Sequence, residues 1–181
     1  ITELVYSESR AAAHKIDSTF APSTAIAILV PADAYEKEKA VLREVEALPE
    51  IKSATGLANI EIEEGRVLTD IYTPRMFAEL VDIDVEQAQL LFQAYGIQHE
   101  EYQAVFNSAS DYGVPLVDMF LNLFEKIDQG IVTLSDAQMD TLDALRGTLE
   151  RGVDQLRGES WDRLVLTASV PTEGEESLAL V

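Results

Sequence analysis

The sequence predicts an α+β fold in which a small sheet with the element order β-α-β…β-α carries a large all-helical insertion. Three observations support this prediction. Residues 24–57 read as strand, helix and strand; residues 73–157 keep a helical period; and the period returns to two after Gly158. Without the insertion, this order is that of a ferredoxin-like sheet that lacks its fourth strand.

The α/β part begins after an N-terminal segment. Residues 1–19 have the composition of a linker helix with a loose apolar stripe. Residues 24–30, TAIAILV, are short, apolar and flanked by prolines, which is typical of a strand. Because this strand is apolar on both faces, the sequence favours an interior position in the sheet.

A charged amphipathic helix is predicted over residues 34–48. Asp33 and Glu36 stand at the spacing of a capping box. Pro49 ends the helix, and residues 51–57 are predicted to form a second, weaker strand. The three elements together make a β-α-β unit of the usual size.

The insertion is predicted to be a helical unit with no sheet residues inside it. Thr73-Pro74 is typical of an N-cap with proline at the first helical position, Ser135 and Gln138 form a capping-box pair, and Asp84 is a further candidate cap. The predicted helices are 74–81, 84–95, about 99–108, 113–128 and 136–157. The predicted core contains Phe77, Leu80, Leu91, Phe92, Leu116, Phe120, Phe124, Leu142, Leu145 and Leu149.

The last strand, residues 161–170, alternates apolar and polar side chains before Pro171 stops it and a C-terminal helix begins. In the predicted sheet this strand lies between 24–30 and 51–57 and is antiparallel to both. The outer edge of 24–30 then lacks a partner, so we expect a second copy or the N-terminal segment to cover it.

Composition excludes several classes of function. The chain has 33 acidic and 13 basic residues, and its net charge of −20 opposes binding to nucleic acid or to an anionic lipid surface. The absence of cysteine excludes disulfides, Cys-type zinc sites and thiol catalysis. The most apolar stretch, residues 114–124, is interrupted by Asp118 and Asn122, so it predicts a buried helix rather than a membrane span.

No catalytic constellation is visible. His14 and His99 lack partners nearby in the sequence, and there is no Gly-x-Ser-x-Gly elbow or phosphate-binding glycine loop. Acidic clusters at 61–64, 82–86 and 173–176 lack EF-hand spacing, and helix capping explains the last two better than calcium does. We therefore predict no catalytic, cofactor-binding or metal-binding residue, no cofactor and no enzymatic activity. An apolar ligand groove among the aromatic residues of the insertion is an alternative to a simple core.

Two stretches carry a family resemblance. Residues 24–57 end their helix with Leu-Pro-x-hydrophobic-x-Ser at Leu48–Ser53, and residues 161–181 run from Trp161-Asp162-Arg163 into Glu173–Glu176. Together they cover about a third of the chain and resemble the extracytoplasmic porter-type loop of MMPL-type exporters of the RND superfamily. The sequence departs from the family at Phe20-Ala21, where Phe-Gly is common.

The resemblance implies a porter-like subdomain made of residues 20–72 and 158–181, with residues 73–157 inserted into it. It implies a cell-membrane protein whose extracytoplasmic part contacts a lipid-like or hydrophobic export substrate or an accessory protein. The parent membrane domain would then be a partner. Because the sequence starts at Ile1 and stops inside a predicted helix, we expect it to be part of a longer protein.

Two other functions compete with this one. The first is a stand-alone acidic interaction module that binds a protein partner through residues 73–157. The second is a hydrolase, which the missing active-site elements disfavour.

Overall fold

A computed structural model describes residues 23–99, 102 and 112–170. Within these residues the chain is a mixed α+β structure with small antiparallel sheets and five α-helices. The strands are β1 (Thr24–Pro31), β2 (Ile51–Thr55), β3 (Glu61–Glu63), β4 (Arg66–Val67), β5 (Ile71–Tyr72), β6 (Val114–Pro115) and β7 (Trp161–Ala168). The helices are α1 (Tyr35–Glu46), α2 (Pro74–Val81), α3 (Val85–Gln98), α4 (Leu116–Asp128) and α5 (Asp136–Leu156).

Several predictions fall outside the described residues. These are the linker helix at 1–19, nearly all of the helix at 99–108, the C-terminal helix and the cover expected over the edge of β1. None of the helices in the described ranges is both long enough and apolar enough to cross a membrane.

The main sheet has the predicted strand order. β7 lies between β1 and β2 and is antiparallel to both, with Ile28 opposite Leu164 and Ala54 opposite Leu166. The two outer strands are therefore parallel to each other. The short α1 helix packs on one face, where Val30, Leu42, Ala54, Ala58, Leu164 and Leu166 form a small core.

The outer edge of β1 lacks a strand partner in the described part of the sheet, as predicted for a sheet without its fourth strand. There β1 pairs with β7 on one side only, and its second apolar face, formed by Ala25, Ala27 and Leu29, is exposed. The reason is that α1 supplies a packing layer on a single side of the sheet. The apolar character of the second face therefore does not reflect burial within the described residues.

Two of the four predicted N-caps within the described residues make side-chain capping hydrogen bonds. Thr73 Oγ1 accepts a hydrogen bond from the Met76 amide at 3.4 Å, and Ser135 and Gln138 bond reciprocally. Helix α1, however, begins at Tyr35 after an Ala34 N-cap, so the predicted Asp33 cap is wrong. Asp33 has a φ of +60° and its carboxylate pairs with a distant arginine instead. Asp84 is the N-cap residue of α3, as predicted, but its side chain makes no capping hydrogen bond.

The helices of residues 73–157, named here the helical block, enclose the larger core. The predicted core side chains Phe77, Leu91, Phe92, Leu116, Phe120, Phe124, Leu142 and Leu149 are buried, whereas Leu80 and Leu145 are partly buried. Phe77 lies at the centre, with its ring edge-on to Phe92 at 5.9 Å and to Phe120 at 5.6 Å. Such pairs add to the stability that burial of aromatic area provides.

The prediction that the helical block contains no sheet residues is wrong at one point. Val114 and Pro115 form β6 and pair with β5, so the helix predicted from residue 113 begins at Leu116. A residue that precedes proline is disfavoured in the α region, which places Val114 in extended backbone. The Leu116 amide then donates to the Asp70 carbonyl at 2.9 Å and continues the pairing.

Candidate functional site

Six ionisable side chains meet where the main sheet joins the helical block, and we name them the polar junction. They are Asp33, Tyr35, Glu38, Asp118, Arg157 and Asp162. Arg157 follows α5 directly, and its guanidinium bridges two elements. Its Nη1 lies 2.7 Å from Asp118 Oδ1 in α4, and its Nη2 pairs with Asp33 before α1. The guanidinium therefore ties three separate segments together.

Asp118 is the carboxylate at the centre of this junction. Burial raises the pKa of Asp118, and the neighbouring Arg157 opposes that rise. The Tyr35 hydroxyl donates to the same carboxylate over 3.4 Å, a long bond. Burial, followed by the charge of Asp118, raises the pKa of Tyr35, so the phenol stays protonated as a donor.

Two further carboxylates, Glu38 and Asp162, are each only 1% exposed. Glu38 Oε1 accepts from the Ala58 amide at 3.1 Å, whereas its Oε2 has no hydrogen-bond partner in the described structure. Asp162 accepts from the amides of Asp33 at 3.2 Å and Gly158 at 3.4 Å. Burial raises the pKa of both side chains, and their backbone donors oppose the rise.

The polar junction borders a small cavity of about 200 Å³. Asp118 and Arg157 line it together with His99, whose ring stacks on Tyr95 at a centroid distance of 3.8 Å. His99 Nδ1 lies 2.8 Å from the Tyr95 carbonyl oxygen. Among the described lining residues there is no serine, threonine or lysine that could act as a nucleophile. The arrangement can hold charges and protons, but it presents no acyl-transfer constellation.

The acidic side chains that the structure describes at 61–64 and 82–86 do not assemble into a metal centre. Across 23–99, 102 and 112–170, no three His, Asp or Glu residues are placed to hold a metal ion together. His14 and the cluster at 173–176 lie outside these ranges.

Two open apolar grooves lie on the described part of the helical block. The first, of about 530 Å³, lies between α2 and α5 and is lined by Leu80, Val81, Phe120, Leu142 and Leu145. Its rim is fixed by Gln138, whose amide donates to the Asp82 carbonyl while its oxygen accepts from the Ser135 amide at 2.9 Å. This capping box therefore also joins the start of α5 to the end of α2.

The second groove, named here the α3 groove, has a volume of about 510 Å³. It lies between α3 and the turn that follows α4. Its apolar walls are Ile83, Leu90, Leu91, Ala94, Ile131 and Val132. Its polar lining residues are Gln87, Gln98, Lys126, Gln129 and Thr133.

Sequence reasoning assigned no catalytic or ligand-binding role to the residues of the polar junction. One signal was present, because Asp118 interrupts the most apolar stretch of the chain and a buried carboxylate requires a partner. The sequence did not predict which residue that partner is, since Arg157 lies 39 residues away from Asp118. The alternative of an apolar groove among the aromatic residues is not borne out in the described helical block, because those residues form the core and only Phe120 lines either groove.

Comparison with known proteins found no matching family model, no similar curated protein and no similar solved structure.

Proposed function

We propose that this chain is an extracytoplasmic domain of a multi-pass exporter of the RND superfamily, MMPL type, and that it performs no covalent chemistry. The observation that carries the proposal is the strand order β1-β7-β2. It is the order expected for a ferredoxin-like porter subdomain that lacks its fourth strand, with a helical insertion between β2 and β7. The segments that bear the family resemblance, Leu48–Ser53 and Trp161–Arg163, lead into or begin β2 and β7 of this sheet.

In this proposal the helical block contacts the exported substrate or an accessory protein. Two open grooves with apolar walls are suited to a lipid-like or hydrophobic ligand, because such sites are concave and mostly apolar, with a few polar groups. Energy coupling would occur in the parent membrane domain.

Cysteine labelling in intact cells tests the location. The chain contains no cysteine, so single cysteines can be placed in α1 at exposed Glu44 and at buried Leu42. In the full-length protein, Glu44→Cys should react with a membrane-impermeant maleimide before lysis, whereas Leu42→Cys should stay unreactive. The unsubstituted protein gives the background. Labelling of Glu44→Cys only after lysis, or recovery of the protein without membranes, would overturn the proposal.

A stand-alone interaction module is the second candidate function. It is favoured by the exposed apolar side chains Leu90, Ile97 and Ile131 on the helical block. Exposed apolar groups that cluster on one surface often mark a contact with another protein. Recovery of the full-length protein in the membrane-free fraction, in a complex that dissociates on Leu90→Asp substitution, would support this second function.

A further inference from the structure

Among the described residues that line the α3 groove, Lys126 of α4 is the one with a charged side chain. Lys126 is only 5% exposed, which is unusual for a lysine. Its ammonium lies 3.3 Å from Oε1 of Glu125, a neighbour in sequence whose own side chain is 54% exposed. Gln129 Nε2 donates to that same oxygen at 2.7 Å. An ammonium carries three donors, so Lys126 can serve a second acceptor without losing Glu125.

The groove differs in charge from the rest of the molecule. The described residues that line it include no Asp and no Glu, although the chain has 33 such residues in all. Beside Lys126, its polar lining includes the amides of Gln87, Gln98 and Gln129, which can donate hydrogen bonds. The net charge of −20 repels anions at long range. A Debye length of about 8 Å at physiological salt confines that repulsion, so the charges nearest the groove, Lys126 and its exposed partner Glu125, outweigh the distant acidic residues.

We propose that the α3 groove binds a single-chain alkyl monocarboxylate, with its alkyl chain along Leu90, Leu91, Ala94 and Ile131 and its carboxylate at Lys126. The volume of about 510 Å³ lies within the range of small-ligand sites. A charge-assisted hydrogen bond to a mostly buried ammonium selects the anion, and the apolar walls supply the burial. This inference rests on the proposed function, because it names the chemical class of its hydrophobic ligand.

Calorimetry on the 181-residue chain tests the proposal. The probes are decanoate, 1-decanol and decyltrimethylammonium, each below its aggregation limit. Decanoate should bind with one-to-one stoichiometry and about tenfold or more tighter than the alcohol, since a bond to a charged group is worth that much. The cation should bind more weakly than decanoate despite the acidic protein.

Three variants locate the site. Lys126→Met keeps an unbranched side chain without the charge and should bind decanoate no tighter than wild type binds decanol. Leu90→Asp places a charge on the apolar wall and should abolish binding. Leu29→Asp on β1 is the matched control, because Leu29 is 60% exposed and Leu90 is 65% exposed, and it should bind as wild type does.

A measurement on the unsubstituted protein removes dependence on variant folding. With carboxyl-labelled [¹³C]decanoate, the NMR titration of bound ligand should show a carboxyl pKa below that of free ligand, because the ammonium favours the anion. The proposal is overturned if decanoate shows no saturable binding, or binds with the same affinity as decanol. It is also overturned if Lys126→Met binds decanoate as tightly as wild type, or if Leu90→Asp and Leu29→Asp lose equal affinity. A bound ligand whose carboxyl pKa is not lowered would overturn it as well. If the protein fails the cell-labelling test but still binds decanoate, the exporter proposal is refuted and the ligand assignment for the α3 groove stands.

Discussion

Removing the Arg157 guanidinium should destabilise the fold far more than its exposure suggests. In Arg157→Met, the Asp118 carboxylate keeps only the long bond from Tyr35, at 3.4 Å, among its described partners. Removing one partner of a buried ion pair costs about 3–5 kcal/mol. The Arg157 side chain is 22% exposed, so solvent screening reduces the expected loss to about 2–3 kcal/mol. For a chain of this length, that corresponds to a fall of roughly 4–12 °C in melting temperature.

Urea denaturation followed by circular dichroism measures this loss, with Arg146→Met as the matched control. Arg146 is also a bridging arginine, bonded to Glu150 at 2.7 Å and Asp128 at 2.8 Å, but both of its partners are well exposed. The control should therefore lose clearly less stability. Adding Asp118→Asn to Arg157→Met should restore more than half of the loss, because the variant then holds no unpaired buried charge.

The pH dependence of this deficit has a defined sign. Burial already raises the pKa of Asp118, and loss of Arg157 raises it further. The folded variant then holds a proton that the unfolded chain has released, so its stability falls as pH rises from about 4 toward neutrality. The deficit of Arg157→Met should therefore grow over that range. A deficit equal to that of Arg146→Met, or one independent of pH, would refute the role assigned to the polar junction.

Three smaller predictions concern single positions. Because burial raises the pKa of Glu38 above its usual value, wild type should lose stability as pH rises above about 4.5, and Glu38→Gln should flatten that slope in urea titrations at several pH values. Gly56→Ala should destabilise by about 2 kcal/mol or more, since the new Cβ would lie within about 2.4 Å of Glu38 and Leu164 atoms. Gly147→Ala should instead stabilise by about 0.5–1 kcal/mol, because a Cβ there meets open space on the helix. Equal melting temperatures of these two variants would contradict the prediction. Ser135→Ala should cost about 1 kcal/mol by loss of the capping box, and no change in thermal melting would show that the cap is unimportant.

Local patterns in the sequence determined most of the elements. The apolar period predicted α2 and most of α5 almost to the residue, because a helix with one buried face repeats its apolar side chains every three to four positions. The caps at Thr73 and Ser135 were predicted for the same local reason, since a capping bond spans only three residues. The central position of β7 in the sheet was predicted from topology rules that exclude most other strand orders.

The short strands between residues 61 and 72, and β6, were not predictable in this way. Segments of two or three residues are too short to show a period, and β5 pairs with a strand more than 40 residues later. Pro115 was a signal that helix α4 begins after residue 113, because proline disfavours helical backbone in the residue before it.

Only the tertiary structure decided which polar groups meet. Asp33 has the local signature of a cap, yet its carboxylate is used by Arg157 from the far end of the helical block. Lys126 has the sequence context of a surface lysine and is buried beside an apolar groove. Local backbone preferences act over a few residues and can therefore be predicted from the sequence. Burial and ion pairing depend instead on which distant segments pack together. The sequence by itself therefore determined the longer elements and their order, and the packing determined the short strands, the polar junction and the grooves.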